Sequence, residues 1–350
     1  MKINIIGPYP PPYGGVSIYI KRLTSLLINK SIEVENYTGP FKSYFFKVLK
    51  EKEKQIYHIN LGGYRIKILL GILGKFNKKI ILMIHGASLQ EEYDKGNILV
   101  KNLIKWSLKQ LTYIICVNED IKKKCLELGV DEQKIKVISP YLNPVITEDD
   151  YKKISKQVWR FIEAKKRENY RILTANGNIR FYNNQDLYGL DLLIDLVKEL
   201  TNKGYKVCLL FALLGYEEQN LRERKYFNKL LKKIENENID SEILIYKVKN
   251  TEYYPLIQKT DIFLRPTNTD GDAISSREAI FLKKPNIASD VTLRPKETIL
   301  FKSRNLQDLV VVTERLLKNY NEEKKKLNQS NTKEAFDEIL ETYKKLYKDR

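Results

Sequence analysis

DIFLRPTNTDGDAISSREAIFLKKPNIASD, residues 261–290, has the pattern of one strand, a loop, a helix and a second strand. The strand pattern starts at Asp261, and residues 265–272 form a polar loop with Pro and Gly. A helical pattern begins near Ala273, and Pro285 ends it before the next strand. The loop and the following helix start offer free backbone N–H groups and a positive dipole end. The stretch therefore predicts a parallel α/β fold with an anion site at this loop.

Two carboxylates flank the predicted site, Asp270 on the loop and Glu278 eight residues later in the helix. Asp270-x7-Glu278, followed by KKPNIA, resembles the E-x7-E signature of retaining glycosyltransferases of family four, which have the GT-B fold. The first acid is Asp here, one methylene shorter. The resemblance implies that Asp270 contacts a sugar hydroxyl of the donor and Glu278 its ribose. It also implies that the backbone near Ala273, Ile274 and Ser275 holds the donor.

Length and composition favour a two-domain globular protein. The chain has 350 residues, and 43% of them are hydrophobic, enough for two packed cores. Three cysteines without metal-type spacing (Cys116, Cys125 and Cys208) predict reduced thiols in the cytoplasm. The first apolar run is too short for a signal peptide, and no stretch approaches the roughly 20 residues that span a bilayer. We expect a cytoplasmic protein, either free or peripheral on the inner face of the cell membrane.

The net charge of +18 is unevenly distributed. Residues 1–110 contain 18 Lys and Arg against 7 Asp and Glu, an excess of +11. This predicts attraction to an anionic membrane surface or a polyanionic acceptor, although solvated lysine side chains explain it equally well. Nucleic acid has only the net charge in its favour, because no zinc spacing, RNP-like motif or helix-turn-helix pattern is present. We expect no nucleic-acid partner.

The first loop of the chain follows a strand pattern at residues 2–6 and reads GPYPPPYGGVS. Gly14 and Gly15 let the backbone come close to a bound group, and a helix pattern begins directly after them. The string is similar to the first loop of the same family, which lies between the donor phosphates and the acceptor. The resemblance thus implies that Gly14 and Gly15 bind the donor.

Strand and helix patterns alternate along the chain, which predicts parallel sheets with ligands at the carboxyl ends of the strands. His85 lies at such an end, after the apolar run at residues 79–84 and before Gly86. The resemblance implies that His85 contacts the donor sugar or phosphate; a capping or packing role is the alternative. The other histidine, His58, falls within a strand pattern and is interpreted as structural.

The stretch PYLNPVITEDD, residues 140–150, interrupts the alternation and predicts a domain connection, followed by one helix over residues 151–167. In the second half, Arg180 fits the family's diphosphate-binding Arg. The family's Lys is replaced by Tyr188, and the spacing between the two positions is longer. Arg265, Arg277 or Arg294 are alternative cations for the diphosphate.

These observations predict an α/β protein of GT-B fold with two Rossmann-like domains facing each other across a cleft. Residues 1–147 form the acceptor domain, residues 148–330 the donor domain, and residues 331–350 a helix that packs back on the first domain.

The predicted activity is retaining transfer of a sugar from a nucleotide-sugar donor to a glycan or polyprenyl-diphosphate-linked acceptor, in surface polysaccharide biosynthesis. His85, Arg180 and Asp270 are the predicted catalytic residues, with no metal and no cofactor besides the donor. One alternative is a metal-dependent enzyme that uses Asp270-Gly271-Asp272 as a D-x-D motif; we instead interpret Asp272 as a helix N-cap. The other alternative is a catalytically impaired relative that acts as a binding or assembly partner.

Overall fold

The computed structural model describes residues 1–11, 13–51, 55–86, 88–270, 274–329 and 335–348. The chain forms two units, Met1–Val145 together with Lys333–Arg350, and Ile146–Thr332. Within the described residues, each unit is built on one six-stranded sheet in which all neighbouring strands are parallel. The predicted boundaries at residues 147 and 330 each lie two residues from these limits.

The first unit alternates strands and helices along the chain. Its strands are β1 (Lys2–Ile6), β2 (Glu33–Tyr37), β3 (Ile56–Ile59), β4 (Lys79–Ile84), β5 (Tyr113–Cys116) and β6 (Ile135–Val137). Its helices before the domain connection are α1 (Gly15–Asn29), α2 (Phe41–Lys50), α3 (Tyr64–Lys75), α4 (Ser88–Lys95), α5 (Ile98–Gln110) and α6 (Glu119–Glu127), with a short 3-10 helix at Glu132–Lys134. The strand order is β2-β1-β3-β4-β5-β6, so the order reverses between β1 and β3.

The sheet of the first unit is buried on both faces because its strands are almost continuously apolar. The sequence KIILMI of β4 is typical, since parallel strands are covered by helices on both sides. Ile80, Leu82 and Ile84 pack with α2, α3, α5 and α6. Ile81 and Met83, which point to the other face, pack with α1.

The second unit repeats this architecture. Its strands are β7 (Arg171–Gly177), β8 (Phe181–Tyr182), β9 (Gln185–Asp186), β10 (Val207–Leu213), β11 (Ile243–Lys247), β12 (Ile262–Arg265), β13 (Asn286–Ser289) and β14 (Ile299–Phe301). Its helices are α7 (Glu148–Lys152), α8 (Lys156–Arg167), α9 (Leu190–Asn202), α10 (Leu221–Asn236), α11 (Tyr254–Lys259), α12 (Ile274–Phe281), α13 (Leu306–Lys318) and α14 (Tyr320–Gln329). The sheet order is β11-β10-β7-β12-β13-β14, and β8 and β9 form a separate hairpin.

One helix predicted from the sequence is wrong in its extent. Residues 151–167 form parts of two helices, α7 and α8, instead of one. The break has a local cause, because Ser155 Oγ accepts a hydrogen bond from Gln157 N (3.2 Å) and caps the start of α8.

The last helix, α15 (Ala335–Lys348), belongs to the first unit. Phe336, Ile339 and Tyr343 are buried in the same apolar cluster as α1 and one face of the first sheet. The Tyr343 hydroxyl also hydrogen-bonds Nδ1 of His58. The helix therefore completes one face of a sheet whose strands lie far earlier in the chain.

Two further sequence predictions concern the cysteines and the membrane. All three cysteines are buried and form no disulfide. In the part of the chain that the structure describes, no helix combines the length and the apolar character needed to cross a bilayer.

Candidate functional site

The second unit has a natural ligand position where its strand order reverses. The chain runs from β7 outward to β10 and β11, and then returns to the other side of β7 with β12. In open parallel sheets, ligands bind at the carboxyl ends of the strands at such a reversal. The loops after β7 and β12 meet there, since Asn268 N donates to Leu187 O (3.1 Å) and Arg265 Nη1 to Asn176 O (3.3 Å).

Asp270 lies in this loop pair, and two arginines hold its carboxylate. Arg265 binds it through Nε and Nη2, at 2.9 Å and 3.1 Å from the two carboxylate oxygens. Arg294 Nη1 lies 2.8 Å from Oδ2, and Thr267 Oγ1 lies 3.2 Å from the same oxygen. The contact with Arg265 is a bidentate charge-assisted pair, the strongest geometry that a carboxylate forms with a side chain.

This cluster is buried and carries an excess of positive charge. The side chains of Asp270 and Arg294 are 9% and 2% exposed, and that of Arg265 is 12% exposed. Burial alone would raise the pKa of Asp270, but the hydrogen bonds and charges of Arg265 and Arg294 outweigh it and lower the pKa. Two guanidinium groups against one carboxylate leave a net positive charge. We call this set, Arg265, Asp270 and Arg294, the arginine cluster.

Tyr188, at the position where the resemblance implies a Lys, contacts the arginine cluster through its ring. A Cβ on Gly177 would lie 2.4 Å from Cγ of Tyr188, so the ring packs directly on the glycine backbone. The Arg265 guanidinium lies over the same ring, 5.1 Å from its centroid. A cation over an aromatic face is stabilised by the ring quadrupole. The tyrosine thus provides no charge itself but fixes the position of a cation.

The hairpin of β8 and β9 explains the long spacing between Arg180 and Tyr188. Asn183 and Asn184 form its turn with φ of 49° and 60°, as a two-residue type I′ turn requires. Arg180 is exposed and immediately precedes the hairpin. The hairpin is tied to the loop of Asp270, because Asn268 Nδ2 donates to Tyr182 O (3.1 Å).

Asp186 fixes the chain between this hairpin and α9. Its Oδ1 accepts hydrogen bonds from the backbone N–H groups of Tyr188 (3.0 Å) and Gly189 (3.1 Å). Burial, assisted by the charge of Asp191, raises the pKa of Asp186 to about 6. Asp186 was not among the predicted site residues, although an Asp three residues before Gly189 is a recognisable turn signal.

Helix α12 carries the remaining predicted donor residues. Glu278 is its fifth residue and only 3% exposed, and Ser275 is 6% exposed, whereas Ile274 is half-buried at the helix start. Ala273 and the proposed N-cap Asp272 lie outside the described residues. A carboxylate as buried as that of Glu278 has a fixed position from which to accept hydrogen bonds.

Three polar oxygens near the same edge of the sheet have no hydrogen-bond partner among the described residues: Asn176 Oδ1 at the end of β7, Asn268 Oδ1 after β12, and Ser276 Oγ in α12. Buried polar atoms are normally paired, so each needs a water or a ligand group. Hydroxyl groups of a ligand would supply the donors that the two amide oxygens lack.

The first unit places Gly14 and Gly15 at the exposed start of α1. The Gly14 N–H donates to Ser17 Oγ (2.9 Å), so this amide is already hydrogen-bonded to a residue of α1. A Cβ at Gly14 would meet no atom within 4 Å, which leaves open space beside the backbone.

His85 lies at the end of β4, next to the reversal between β1 and β3. Its Nε2 is 2.8 Å from Oδ1 of Asn60, the residue that follows β3. The ring of Tyr19 contacts it edge-to-face at 5.1 Å between centroids. Burial lowers the pKa of His85 to about 4, so the ring is neutral near pH 7. The other histidine, His58, is fully buried, in agreement with a structural role.

A pocket of about 440 Å³ opens at this reversal, lined by residues of α1, α3, β4 and α4 and of the loops after β3 and β4. The lining residues are Val16, Asn60, Leu61, Gly62, Lys67, Leu82, Met83, Ile84, His85, Gly86 and Ser88. Lys67, which is 2% exposed, forms an ion pair with Glu92 at 2.8 Å. This pair was not among the predicted site residues; the signal for it in the sequence was a lysine on the apolar side of α3.

Residues 33–145 match the model of Glycosyltransferase Family 4. No curated protein sequence matches the chain significantly. The family match thus covers most of the first unit.

Solved structures with similar folds cover nearly the whole chain. HepE from Anabaena, solved with UDP and glucose, is 12% identical over 93% of this chain and 92% of its own, with a TM-score of 0.59. A glycosyltransferase from Rickettsia africae ESF-5 is 15% identical over 100% and 99%, with a TM-score of 0.62. The catalytic domain of starch synthase IV from Arabidopsis thaliana, solved with ADP and acarbose, is 10% identical over 99% and 98%, with a TM-score of 0.65.

At these identities the similarity establishes the fold, and the predicted GT-B fold is confirmed. The match to the family model extends over residues 33–145 and relates that stretch of the first unit to Glycosyltransferase Family 4.

Proposed function

We propose that this protein transfers a glycosyl group from a nucleotide sugar to a glycan or lipid-linked acceptor, with retention at the anomeric carbon, in surface polysaccharide biosynthesis. The observation that carries the proposal is the arginine cluster at the strand reversal of the second unit. A leaving nucleoside diphosphate is an anion, and a cluster with excess positive charge at this position stabilises it as it departs. The match of residues 33–145 to the family model supports the same activity.

The proposed roles follow from the chemistry of each side chain. Three of the five N–H donors of Arg265 have acceptors among the described residues, which leaves two for phosphate oxygens. Arg180, exposed at the end of the loop after β7, adds a second cation. Glu278 accepts hydrogen bonds from the ribose, and Asp270 accepts one from the transferred sugar while it orients Arg265. His85, being neutral, contacts a sugar hydroxyl. With the acceptor attacking on the face from which the leaving group departs, no covalent nucleophile is needed.

The donor site is tested by nucleotide binding. Titration with a panel of nucleoside diphosphates identifies the base, and the variant Glu278→Gln should then bind that nucleotide roughly 10- to 100-fold more weakly. The reason is the loss of a hydrogen bond to a charged group, which contributes about 1.5–3 kcal/mol. Arg265→Lys keeps the positive charge but loses the bidentate pair. It should weaken binding of the nucleoside diphosphate and leave binding of the phosphate-free nucleoside unchanged.

Glu168→Gln is the matched control. Glu168 precedes β7 at the opposite edge of the sheet, and its side chain is 56% exposed, so nucleotide binding should not change. Wild-type affinity in Glu278→Gln would show that α12 does not hold the donor. Tight nucleotide binding without transfer to any acceptor would instead favour a catalytically impaired binding partner.

A further inference from the structure

Lys284 lies at the amino-terminal edge of the second sheet, opposite the edge that carries the arginine cluster. It follows α12 and is separated from β13 by Pro285. Its Nζ donates a hydrogen bond to the backbone oxygen of Thr260 (2.6 Å), two residues before β12. The residue is half-buried, so its amine has a fixed position but is not closed off from a small reagent.

The charge of this lysine is poorly compensated. The Thr260 oxygen belongs to a neutral peptide group. The Asp261 carboxylate attracts the Lys284 ammonium, but it has other partners as well. Its Oδ2 accepts a hydrogen bond from Ile172 N (2.8 Å), and its Oδ1 lies 3.8 Å from Nη1 of Arg171.

The packing of three helices places further lysines around the same amine. Lys259, the last residue of α11, directly precedes Thr260. The end of α12 lies against α14, because Lys283 Nζ donates to Leu327 O (2.9 Å), and Leu327 is one turn after Lys324. Lys166, in the last turn of α8, completes a set that we call the lysine cluster: Lys166, Lys259, Lys284 and Lys324.

The environment of Lys284 favours its neutral form. Burial and repulsion by Lys324, Lys166 and Lys259 outweigh the attraction of Asp261, and they lower the pKa of Lys284 to about 8. The other three members of the cluster are exposed. They therefore form a positively charged surface around an amine that is itself often uncharged.

A neutral lysine amine is a nucleophile, whereas the ammonium is not. Near pH 7.4, an amine with a pKa of about 8 is neutral in roughly one molecule in five, against about one in a thousand for an ordinary lysine. A less basic amine is also intrinsically less nucleophilic, which offsets part of this gain. The net advantage in rate is about tenfold on these grounds.

We propose that Lys284 is a modification site at which an acyl phosphate, recruited as an anion by the lysine cluster, acylates Nζ. Nζ attacks the carbonyl carbon, the new C–N bond forms, and the C–O bond to the phosphate breaks. The phosphate leaves with the bonding electrons, and the proton that the amine loses passes to it. Exposed lysines attract both the anionic reagent and the phosphate that departs.

The fold is expected to tolerate this modification. The acylated nitrogen keeps one N–H, which is what the hydrogen bond to the Thr260 oxygen requires. Loss of the charge also removes the repulsion from the three neighbouring lysines. The proposal concerns the edge of the sheet away from the arginine cluster and does not depend on the glycosyl transfer proposed above.

The test is treatment of the full chain with acetyl phosphate near pH 7.4, with the initial rate at each lysine measured by peptide mass spectrometry. Lys249 is the internal reference, since its side chain is 75% exposed and pairs with Glu217 at 3.4 Å. If accessibility alone set the rate, Lys249 would react faster. We expect Lys284 to react about tenfold faster instead. Equal rates, or a faster reaction at Lys249, would overturn the proposal.

The double variant Lys259→Gln and Lys324→Gln tests the role of the neighbouring lysines. It removes two charges that repel the Lys284 ammonium and attract the reagent, so the rate at Lys284 should fall about fivefold or more. Lys229→Gln and Lys232→Gln, two exposed positions on α10, make the same change in net charge and should leave that rate unchanged. A double variant that reacts like the wild type would show that the cluster does not activate Lys284.

An uncharged reagent tests the preference for an anion. With para-nitrophenyl acetate, the ratio of the rates at Lys284 and Lys249 should be smaller than with acetyl phosphate. Added salt should lower the ratio for acetyl phosphate only, because it screens the exposed lysines. The same ratio for both reagents at every salt concentration would overturn the assignment of an anionic acyl donor.

Discussion

Among single residues, Asp270 bears most directly on whether the proposed transfer needs a metal ion. Its partners in the structure differ from those that a metal-binding carboxylate would have. The Asp270 carboxylate accepts four hydrogen bonds, from Arg265, Arg294 and Thr267. A divalent cation bound at the same carboxylate would be repelled by two guanidinium groups. Asp272, the second acid of the D-x-D motif, lies outside the described residues, within which no group of three or more His, Cys, Asp or Glu side chains could hold a metal.

We therefore expect transfer to persist in excess chelator. The measurement is the initial rate of product formation with and without the chelator, on protein that has been dialysed free of metals. A chelated enzyme that is inactive and recovers with manganese would restore Asp270-Gly271-Asp272 as a D-x-D motif.

The placement of Asp270 on a loop and of Glu278 in the next helix could be predicted from the sequence, because both acids lie in one short loop-helix segment. The partners of Asp270 could not be assigned in the same way. Arg294 is 24 residues away in the chain, and it reaches Asp270 only through the packing of the segment after β13 beside β12. Lys67 and Glu92 are 25 residues apart and meet for a similar reason. Contacts between loops depend on tertiary structure, which no local pattern contains.

At the scale of elements, α3 and α5 pack unusually closely through two glycines. A Cβ on Gly74 would lie 2.2 Å from the backbone oxygen of Gln110, and one on Gly71 would lie 2.6 Å from Cα of Ser107. These distances lie far inside van der Waals contact with the backbone of α5. The helices could approach to this distance only because both positions lack a side chain.

Gly74→Ala should therefore destabilise the protein, although alanine is the better helix former by about 1 kcal/mol. Forcing the helices apart in a packed core costs roughly 1–3 kcal/mol, which outweighs that gain. The measurement is the melting temperature of the variant. Lys75→Ala, the exposed neighbour on the same helix, is the control and should not lower it. A higher melting temperature for Gly74→Ala would contradict the close packing of the helices.

The sheet strands were predictable to within one or two residues at most positions because buried parallel strands are continuous apolar runs. The run at residues 79–84, for example, coincides with β4. The hairpin of β8 and β9 was not predicted because each strand has two residues, too few to show the alternation of polar and apolar side chains. Helix α14, YNEEKKKLNQ, was missed because its sequence is almost entirely polar, with Leu327 its buried apolar residue beside Tyr320.

At the scale of the whole molecule, the positive charge of the first third of the chain supports peripheral membrane association as a proposal. Lys42 and Lys50 are exposed on α2, and Phe46 between them is 61% exposed. An exposed aromatic side chain among lysines is typical of a helix that lies on an anionic lipid surface.

Binding to anionic vesicles should therefore weaken as salt rises, since exposed charges are screened within about 8 Å at physiological ionic strength. The double variant Lys42→Glu and Lys50→Glu should bind less, as measured by co-sedimentation. The matched change on α10, Lys229→Glu and Lys232→Glu, should have little effect. Equal binding to neutral and anionic vesicles would rule out the electrostatic attraction.

The position of α15 has a consequence for how the protein is made. The second unit is one continuous segment, whereas the first is closed by a helix that follows the second unit in the chain. On the ribosome, the second unit can finish folding while an apolar face of the first still lacks its cover, the reverse of the usual order from the N-terminus. A nascent chain in this interval is a natural client for a chaperone. A stop codon between the second unit and α15 would damage the unit that was translated first.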